Sequence, residues 1–336
     1  DARIGGKDPA VYHLSNVIFH ILSVLGIYLM LREMKSGAGR SLAGAMIYAV
    51  HPVFTNAVTW ILGRNDLLAG MFTFFSIFLF LKYIHEKKPV FLILHIFGLI
   101  FALWSKEIAV LIPLICLLYY VLVEKKKVLS KESLTFGVLW TASVVLWFFL
   151  RSRGTEGPSS DEFGFGLFIK NLPVIPEMVS KFFIPAGISV LPSYSVFRTV
   201  SGILLIAALI ISAYFLKKKN KQMLVFSSIW LFAFLLPSMF VRHASADEFF
   251  DFLDCRLYVP MAGLVIFTLN LIPDRLFDFS RKHFLLILSG LAILLAVLSY
   301  IQNTKYSGPY KFWHTAAEEN QDKAMVWNVL GENYRL

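Results

Sequence analysis

The chain has 336 residues, of which 57% are hydrophobic and only 16% are charged. Soluble domains are about half apolar and about a quarter charged, so this composition predicts a protein embedded in a membrane. The formal net charge of +10 comes from short basic clusters between apolar runs, which argues against a nucleic-acid partner.

Successive apolar runs predict an all-α bundle of about ten membrane-spanning helices. A spanning helix needs about 20 apolar residues, within a range of roughly 17–25. The predicted runs cover residues 11–31, 41–52, 66–83, 90–104, 108–123, 134–150, 200–216, 222–241, 258–272 and 284–302. Cys116 lies inside one of these runs and Cys255 in a polar connection, so both are predicted to be free thiols.

The apolar stretch 90–123 is too long for one span, because a helix rises about 1.5 Å per residue and the hydrocarbon core is about 30 Å thick. Ser105, Lys106 and Glu107 interrupt it. A charge near the centre of a span costs about 2.5–3.5 kcal/mol, so the sequence predicts a hairpin with Lys106 and Glu107 at its tip.

Apolar and charged residues alternate in the long connection 151–199, where Lys170, Glu177 and Lys181 interrupt Phe, Leu and Ile. This pattern predicts an amphipathic helix lying in the membrane interface, with a plain re-entrant connection as the alternative. The later connection, 242–257, contains several acidic residues up to Asp254, and we expect most of these to be solvated.

The C-terminal residues Trp327 to Tyr334 match W-x-x-L-G-x-x-Y, the opening of a tetratricopeptide repeat. A chance match on an amphipathic stretch is the alternative. We predict a membrane domain over 1–305 and a linker with the start of a repeat region over 306–336. Repeats of this kind would offer a surface for protein partners.

Lys and Arg are concentrated in alternate connections, around residues 32–40, 82–88, 125–131, 217–221 and 275–282. The positive-inside rule places these connections in the cytoplasm. Both ends of the chain then lie on the opposite side, in the periplasm, outside the cell or in the endoplasmic-reticulum lumen. A chain that starts on that side is expected to have a further span upstream.

Ionisable residues lie at the ends of the predicted spans on this outer side. We consider as site candidates His51, Arg64, Asp66, Lys106, Glu107 and Arg256. Three of them are cations, which suit a phosphate because Arg and Lys donate charge-assisted hydrogen bonds to its oxygens.

Each candidate also has a purely structural interpretation. Asp66 could cap the following helix, Lys106 and Glu107 could form a solvated turn, and His51 could be a packing residue. Arg256 could anchor its helix at the membrane interface.

Several segments occur in an order and spacing that resemble one family. They are YHLSNVIFH (12–20), HPVFTNAVTWILGRNDLLAG (51–70), SKE (105–107), IPAGISVLPSYS (184–195) and DCRLYVPMAG (254–263). With them the chain resembles the transmembrane and tetratricopeptide-repeat O-mannosyltransferase family and its prokaryotic relatives, in the GT-C superfamily of glycosyltransferases.

The resemblance implies a GT-C membrane bundle that moves a sugar, with mannose as one candidate, from a polyprenyl-phosphate donor to a hydroxyl of a protein or glycan acceptor, with inversion. It implies lipid-phosphate binding by Arg64, Lys106, Arg256 and Tyr258, and leaves His51, Asp66 and Glu107 as catalytic candidates.

Two departures from the family pattern concern the catalytic base. Asn56 stands where the family often has an acid after His51-Pro52, and an amide cannot act as a base. The family's first helix and first outer loop precede the YHLSN motif, so the usual base is expected upstream of residue 1. No metal-ligand spacing is evident, and metal dependence stays open. A transporter and a membrane anchor for a repeat array are the alternative functions.

Overall fold

A computed structural model describes residues 2–6, 8–154, 163–215, 221–241, 252–278 and 282–333. In these residues the regular secondary structure is helical, and one isolated β-bridge joins Phe163 and Val241. The predicted all-α fold class is therefore confirmed. Residues 217–220, most of the acidic connection 242–257 and Tyr334 lie outside the described residues.

The chain forms helices of very different lengths joined by short turns. The main helices are α1 (Pro9–Glu33), α2 (Ala38–Val50), α3 (Arg64–Glu86), α4 (Pro89–Ser105), α5 (Glu107–Val123), α6 (Lys131–Arg151), α7 (Val174–Phe183), α8 (Val196–Phe215), α9 (Lys221–Met239), α10 (Pro260–Leu271), α11 (Lys282–Thr304), α12 (Pro309–Glu319) and α13 (Ala324–Asn333).

Six helices in the described residues are long and apolar enough to cross a membrane, namely α1, α3 with the turn before it, α6, α8, α9 and α11. Each of the ten predicted apolar runs contains helix, but α2 has 13 residues, α4 has 17 and α10 has 12. A span takes about 20 residues. An integral membrane bundle is thus supported, while the number of about ten spans stays a prediction.

The predicted hairpin in 90–123 is confirmed. Helix α4 ends at Ser105, Lys106 has an extended backbone (φ −162°, ψ 141°), and a new helix begins at Glu107. The far end of α5 returns to the start of the hairpin, since Glu124 Oε1 lies 3.2 Å from Nε2 of His85. Lys106 therefore sits at a turn between two helices rather than inside a span.

One end of the bundle, which we call the basic end, carries ion pairs between the connections rich in Lys and Arg. His85 lies between Glu33 and Glu124, at 3.0 and 3.2 Å, and Arg40 pairs with Asp274. The opposite end, which we call the site end, contains His51, Asp66, Lys106, Lys181 and Asp254. The helices thus bring the sequence-predicted candidates to one end, away from the basic connections.

Fully buried aromatic side chains fill the middle of the bundle. Tyr48 of α2 meets Phe74 of α3 edge to face, with ring centroids 5.7 Å apart, and Phe74 stacks on Trp230 of α9 at 6.4 Å. Offset and edge-to-face pairs of this kind stabilise a core beyond the area that they bury. Gly263 lets α10 approach α9 closely, because a Cβ there would lie 2.8 Å from Ser227 O.

The predicted amphipathic helix corresponds to α7. Several of its apolar residues, including Met178 and Phe182, are buried, but Glu177 and Lys181 are buried as well. Each of these two charged residues has a partner inside the protein, as described below, so α7 does not present them to solvent. Its position relative to a membrane interface stays a prediction.

The C-terminal helices α12 and α13 pack together over a small core of their own. Ala316 and Ala317 of α12, Val326 and Leu330 of α13, and Val190 from the connection before α8 form this core. Helix α13 contains the first part of the predicted repeat motif, and Trp327 Nε1 donates to Gln321 O at 3.0 Å. A single helix does not make a repeat, so the tetratricopeptide array also stays a prediction.

Candidate active site

Lys106 and Asp66 form a buried ion pair at the site end. Asp66 lies in the first turn of α3, Lys106 lies at the turn after α4, and Nζ is 2.5 Å from Oδ1. Each side chain is only 9% exposed. Such a pair persists because removing either partner leaves an uncompensated charge away from water. The carboxylate therefore holds the ammonium in place, and the roles predicted for Asp66 and Lys106 in catalysis and in lipid-phosphate binding stay predictions.

Arg256 joins this pair around the thiol of Cys255. A short helical turn, Asp254–Leu257, places both residues at the end of the acidic connection. The pKa of Cys255 is raised to about 12, mainly by burial and also by the Asp66 carboxylate, while Lys106 and Arg256 oppose the rise. The structure thus brings Asp66, Lys106 and Arg256 into one neighbourhood, with Cys255 buried as a free thiol as predicted.

Arg64 faces the start of α1 instead. Its Nε donates to Asn16 Oδ1 at 2.8 Å, and its Nη2 donates to Tyr12 O at 2.8 Å and to Ser15 Oγ at 2.7 Å. The guanidinium also lies 5.3 Å from the centre of the Tyr12 ring. Arg64 ties α3 to the YHLSN segment in this structure, and its lipid-phosphate role stays a prediction.

His51 has both ring nitrogens engaged by the backbone. Nδ1 accepts from Val53 N at 3.2 Å, so the ring proton is on Nε2, which donates to Phe182 O at 2.9 Å. The ring stacks on that of Phe182, with centroids 4.9 Å apart. This geometry supports the packing interpretation of His51 and joins the end of α2 to α7.

The other two candidates occupy opposite environments. Tyr258 is fully buried, and its hydroxyl lies 2.7 Å from Nδ1 of His20. Glu107 is largely exposed, and its Oε2 lies 3.3 Å from Nη1 of Arg151. The sequence does not predict His20 as the partner of Tyr258 or Arg151 as the partner of Glu107. Both assigned roles stay predictions.

A second buried ion pair was missed by the sequence reasoning, which treated Asp254 as part of a solvated acidic connection. Lys181 Nζ lies 2.7 and 2.9 Å from the two carboxylate oxygens of Asp254, and the side chains are 6% and 9% exposed. One turn away, Glu177 Oε1 accepts from Ser195 N at 2.9 Å. Burial is the main cause that raises the pKa of Glu177. The signal in the sequence that could have revealed this pair is Lys181, a lysine on the mostly apolar helix α7.

Asn56, at the position where the resemblance often implies an acid, connects three distant segments. Its Oδ1 accepts from Cys255 N at 3.0 Å, while its Nδ2 donates to the Tyr306 hydroxyl at 2.9 Å and lies 3.4 Å from Val190 O. A carboxylate at this position could accept the first bond but could not donate the other two. The amide is therefore suited to the packing around it.

A cavity of about 780 Å³ opens at this end between α1 and α11. Its back wall is formed by residues 49–59, and the start of α12 contributes Lys311. Of the predicted site residues, His51 lines it, whereas Arg64, Asp66, Lys106, Glu107, Arg256 and Tyr258 are not among its described lining residues. Over the same described residues, no three His, Cys, Asp or Glu are arranged to hold a metal ion.

Residues 2–150 match the model of a family described as dolichyl-phosphate-mannose-protein mannosyltransferase. The chain is 33% identical over 124 residues to protein O-mannosyl-transferase TMTC3 of Mus musculus, which covers 35% of this chain and 13% of that protein. It is 38% identical over 80 residues to protein O-mannosyl-transferase tmtc2 of Xenopus laevis, covering 24% of this chain and 9% of that protein. It is 32% identical over 112 residues to protein O-mannosyl-transferase Tmtc1 of Drosophila melanogaster, covering 33% of this chain and 13% of that protein.

These similarities confirm the resemblance to the O-mannosyltransferase family that the motifs indicated. The matched segments span 9–13% of the length of these three relatives. No solved structure matches the chain.

Proposed function

We propose, from the similarity of residues 2–150 to the dolichyl-phosphate-mannose-protein mannosyltransferase family, that this chain is the membrane part of a glycosyltransferase. It moves mannose from a polyprenyl-phosphate donor to a hydroxyl of a protein acceptor, on the side of the membrane opposite the basic end. That similarity is the observation that carries the proposal, because the matched residues include Arg64, Asp66 and Lys106.

The cavity supports a donor that arrives from the lipid. The helices on either side of it, α1 and α11, expose apolar side chains such as Ile21, Ile293 and Tyr300. Ligand sites combine an apolar lining with a few placed polar groups, and here the polar groups include Thr55, Asn303 and Tyr306 near the site end. A polyprenyl chain would leave through the apolar side while its sugar phosphate reaches the polar end.

The reaction is a single displacement at the anomeric carbon of the sugar. The acceptor oxygen forms the new bond, a general base takes its proton, and the polyprenyl phosphate leaves with the electron pair of the broken bond. Cations near the departing phosphate lower the barrier by stabilising the charge that develops there. Because both ring nitrogens of His51 are engaged by the backbone, we do not assign the base to His51, and the resemblance implies a carboxylate for this role.

The proposal also includes a membrane topology. About ten spans, with the basic end in the cytoplasm, place the cavity and both buried ion pairs in the periplasm or the endoplasmic-reticulum lumen. The helices α12 and α13 would then lead into a repeat array on the acceptor side. Labelling of single-cysteine variants at Lys88 and Lys170 with a membrane-impermeant reagent checks this: only the variant at Lys170 should react in intact cells or sealed vesicles.

The decisive experiment is transfer by the purified full-length protein in lipid nanodiscs. Radiolabelled mannose on dolichyl phosphate is offered with candidate acceptor proteins, and labelled protein is counted. Transfer that depends on the enzyme and releases dolichyl phosphate supports the proposal. A folded protein that transfers no sugar from any polyprenyl-phosphate donor would refute it and would favour the anchor or transporter alternatives.

A further inference from the structure

The cavity between α1 and α11 has a one-sided charge. Its positive charge comes from Lys311; the described lining residues also include three histidines, His13, His20 and His51, and they include neither Asp nor Glu. In a cleft with apolar walls, charge of one sign focuses the electrostatic potential and raises the local concentration of oppositely charged ligands. The cavity therefore favours an anion over a cation or a neutral sugar alone.

Two of the three histidines are already used by the protein. His20 has Nδ1 2.7 Å from the Tyr258 hydroxyl and Nε2 3.1 Å from Ala49 O. His51 is held between Val53 N and Phe182 O. Neither imidazole can turn to a ligand without breaking contacts that are buried or half-buried.

Lys311 and His13 are different. Lys311 lies in the first turn of α12 and is exposed, and His13 lies in the second turn of α1 and is half-buried. Neither side chain has a hydrogen-bond or ion-pair partner among the residues that the structure describes. They approach the cavity from two helices that are almost 300 residues apart in sequence, and each presents N–H donors to its space.

We propose that Lys311 and His13 bind the phosphate of a lipid-linked ligand whose hydrocarbon chain leaves between α1 and α11. The inference rests on the proposed function and deepens it, because it moves the phosphate contact from the buried pair at Lys106 to the open cavity. It also makes α12, in the predicted linker to the repeat region, a wall of the donor site. Repeats that follow α13 would then be built directly onto the site.

Binding of dolichyl phosphate to the full-length protein in nanodiscs tests this assignment without requiring turnover. Lys311→Ala should weaken binding about tenfold, which corresponds to about 1.4 kcal/mol, and His13→Ala should weaken it in the same direction. Lys311→Arg should restore most of the affinity, since a guanidinium keeps the charge and the donors. Lys170→Ala is the matched control, because it removes an exposed lysine from the same end of the bundle, outside the cavity.

Two further ligands identify what the cavity recognises. Uncharged dolichol should bind weakly and equally to the parent and to Lys311→Ala. Inorganic phosphate that competes with dolichyl phosphate in the parent but not in Lys311→Ala would support the phosphate site and assign it to the head group alone. No competition at millimolar phosphate, with the lysine dependence intact, supports a site that needs the lipid chain.

The assignment is overturned if Lys311→Ala binds dolichyl phosphate as tightly as the parent, or if dolichol binds as well as dolichyl phosphate. This outcome is separate from failure of the proposed function. Sugar transfer with an unchanged KM for the donor in Lys311→Ala would keep the enzyme and reject the site. Lysine-dependent lipid-phosphate binding without any transfer would keep the site and reject the enzyme.

Discussion

Breaking the buried Lys106–Asp66 pair should separate a structural role from a role in donor binding. The substitution Lys106→Met keeps much of the side-chain volume but leaves Asp66 charged and 9% exposed. Removing one partner of a buried pair costs about 3–5 kcal/mol, whereas replacing both partners by neutral groups is often nearly neutral. We therefore expect Lys106→Met and Asp66→Asn each to destabilise strongly, and the double variant to recover most of the loss.

The surroundings of the pair predict which single change is worse. Arg256 and Lys106 both act on the thiol of Cys255 beside Asp66. Lys106→Met leaves the carboxylate with a neighbouring guanidinium, so part of its charge stays compensated. Asp66→Asn leaves two cations without that carboxylate. The free energy of unfolding should fall more for Asp66→Asn than for Lys106→Met.

Thermal or denaturant unfolding of the three variants in detergent, followed by tryptophan fluorescence, provides the double-mutant cycle. Lys88→Met is the control, because the pair of Lys88 with Glu86 is exposed and should contribute little to the free energy of unfolding. If Lys106→Met unfolds like the parent yet loses sugar transfer, the ion pair is not structural and Lys106 is a ligand of the donor. Losses that simply add in the double variant would also contradict the argument.

Three further changes test other contacts at the site end. Asn56→Asp should lower the free energy of unfolding by about 2 kcal/mol, because a buried carboxylate cannot replace the two amide donations. Unfolding of the variant measures this loss. Asn56→Ala should lower the free energy of unfolding by a similar amount if the lost hydrogen bonds, rather than the added charge, decide the result. Glu319→Ala removes the carboxylate that accepts from Val190 N and Lys305 Nζ. Amide hydrogen exchange in residues 309–333 should therefore become faster. Unchanged exchange there would show that the small core alone holds α12 in place. Glu177→Gln should leave stability unchanged near pH 4 and increase it at pH 7. The raised pKa of Glu177 means that the folded protein retains this proton better than the unfolded chain, so the parent loses stability as the pH rises through that pKa. A variant with the same pH dependence as the parent would contradict the assignment.

The length and order of the apolar runs were sufficient to predict the all-α fold class and the order of the helices, because hydrophobic runs interrupted by charge are typical of membrane helices. The hairpin at Lys106 shows why this works: no bilayer span can absorb 34 residues, so the turn had to fall at the only charged step. Length was less informative for α2 and α10. Both are shorter than a span although they lie within apolar sequence, since Gly37 and Pro52 bound the first and Pro260 and Pro273 the second.

The candidate site was predicted less completely, because sequence assigns residues to an end of a bundle but not to a partner. Asp66 and Lys106 were predicted to lie on the same side of the membrane, and the ion pair between them is a finding of the structure. Lys181 and Asp254 are 73 positions apart, and neither position carries a local pattern that requires the other. An acidic residue in a polar connection usually faces water, and only the packing of α7 against the turn at Asp254 makes that expectation wrong.

The charges at the site end follow a division that bears on where an anion would bind. Lys106 and Lys181 each have a buried carboxylate within hydrogen-bond distance, so each pair is close to neutral as a unit. The cavity between α1 and α11 instead combines an exposed lysine with described lining residues that include no acid. A phosphate at either pair would compete with a carboxylate already in place, whereas a phosphate in the cavity would displace only water from Lys311. For a lipid-linked phosphate, Lys311 is therefore a more available cation than either buried lysine.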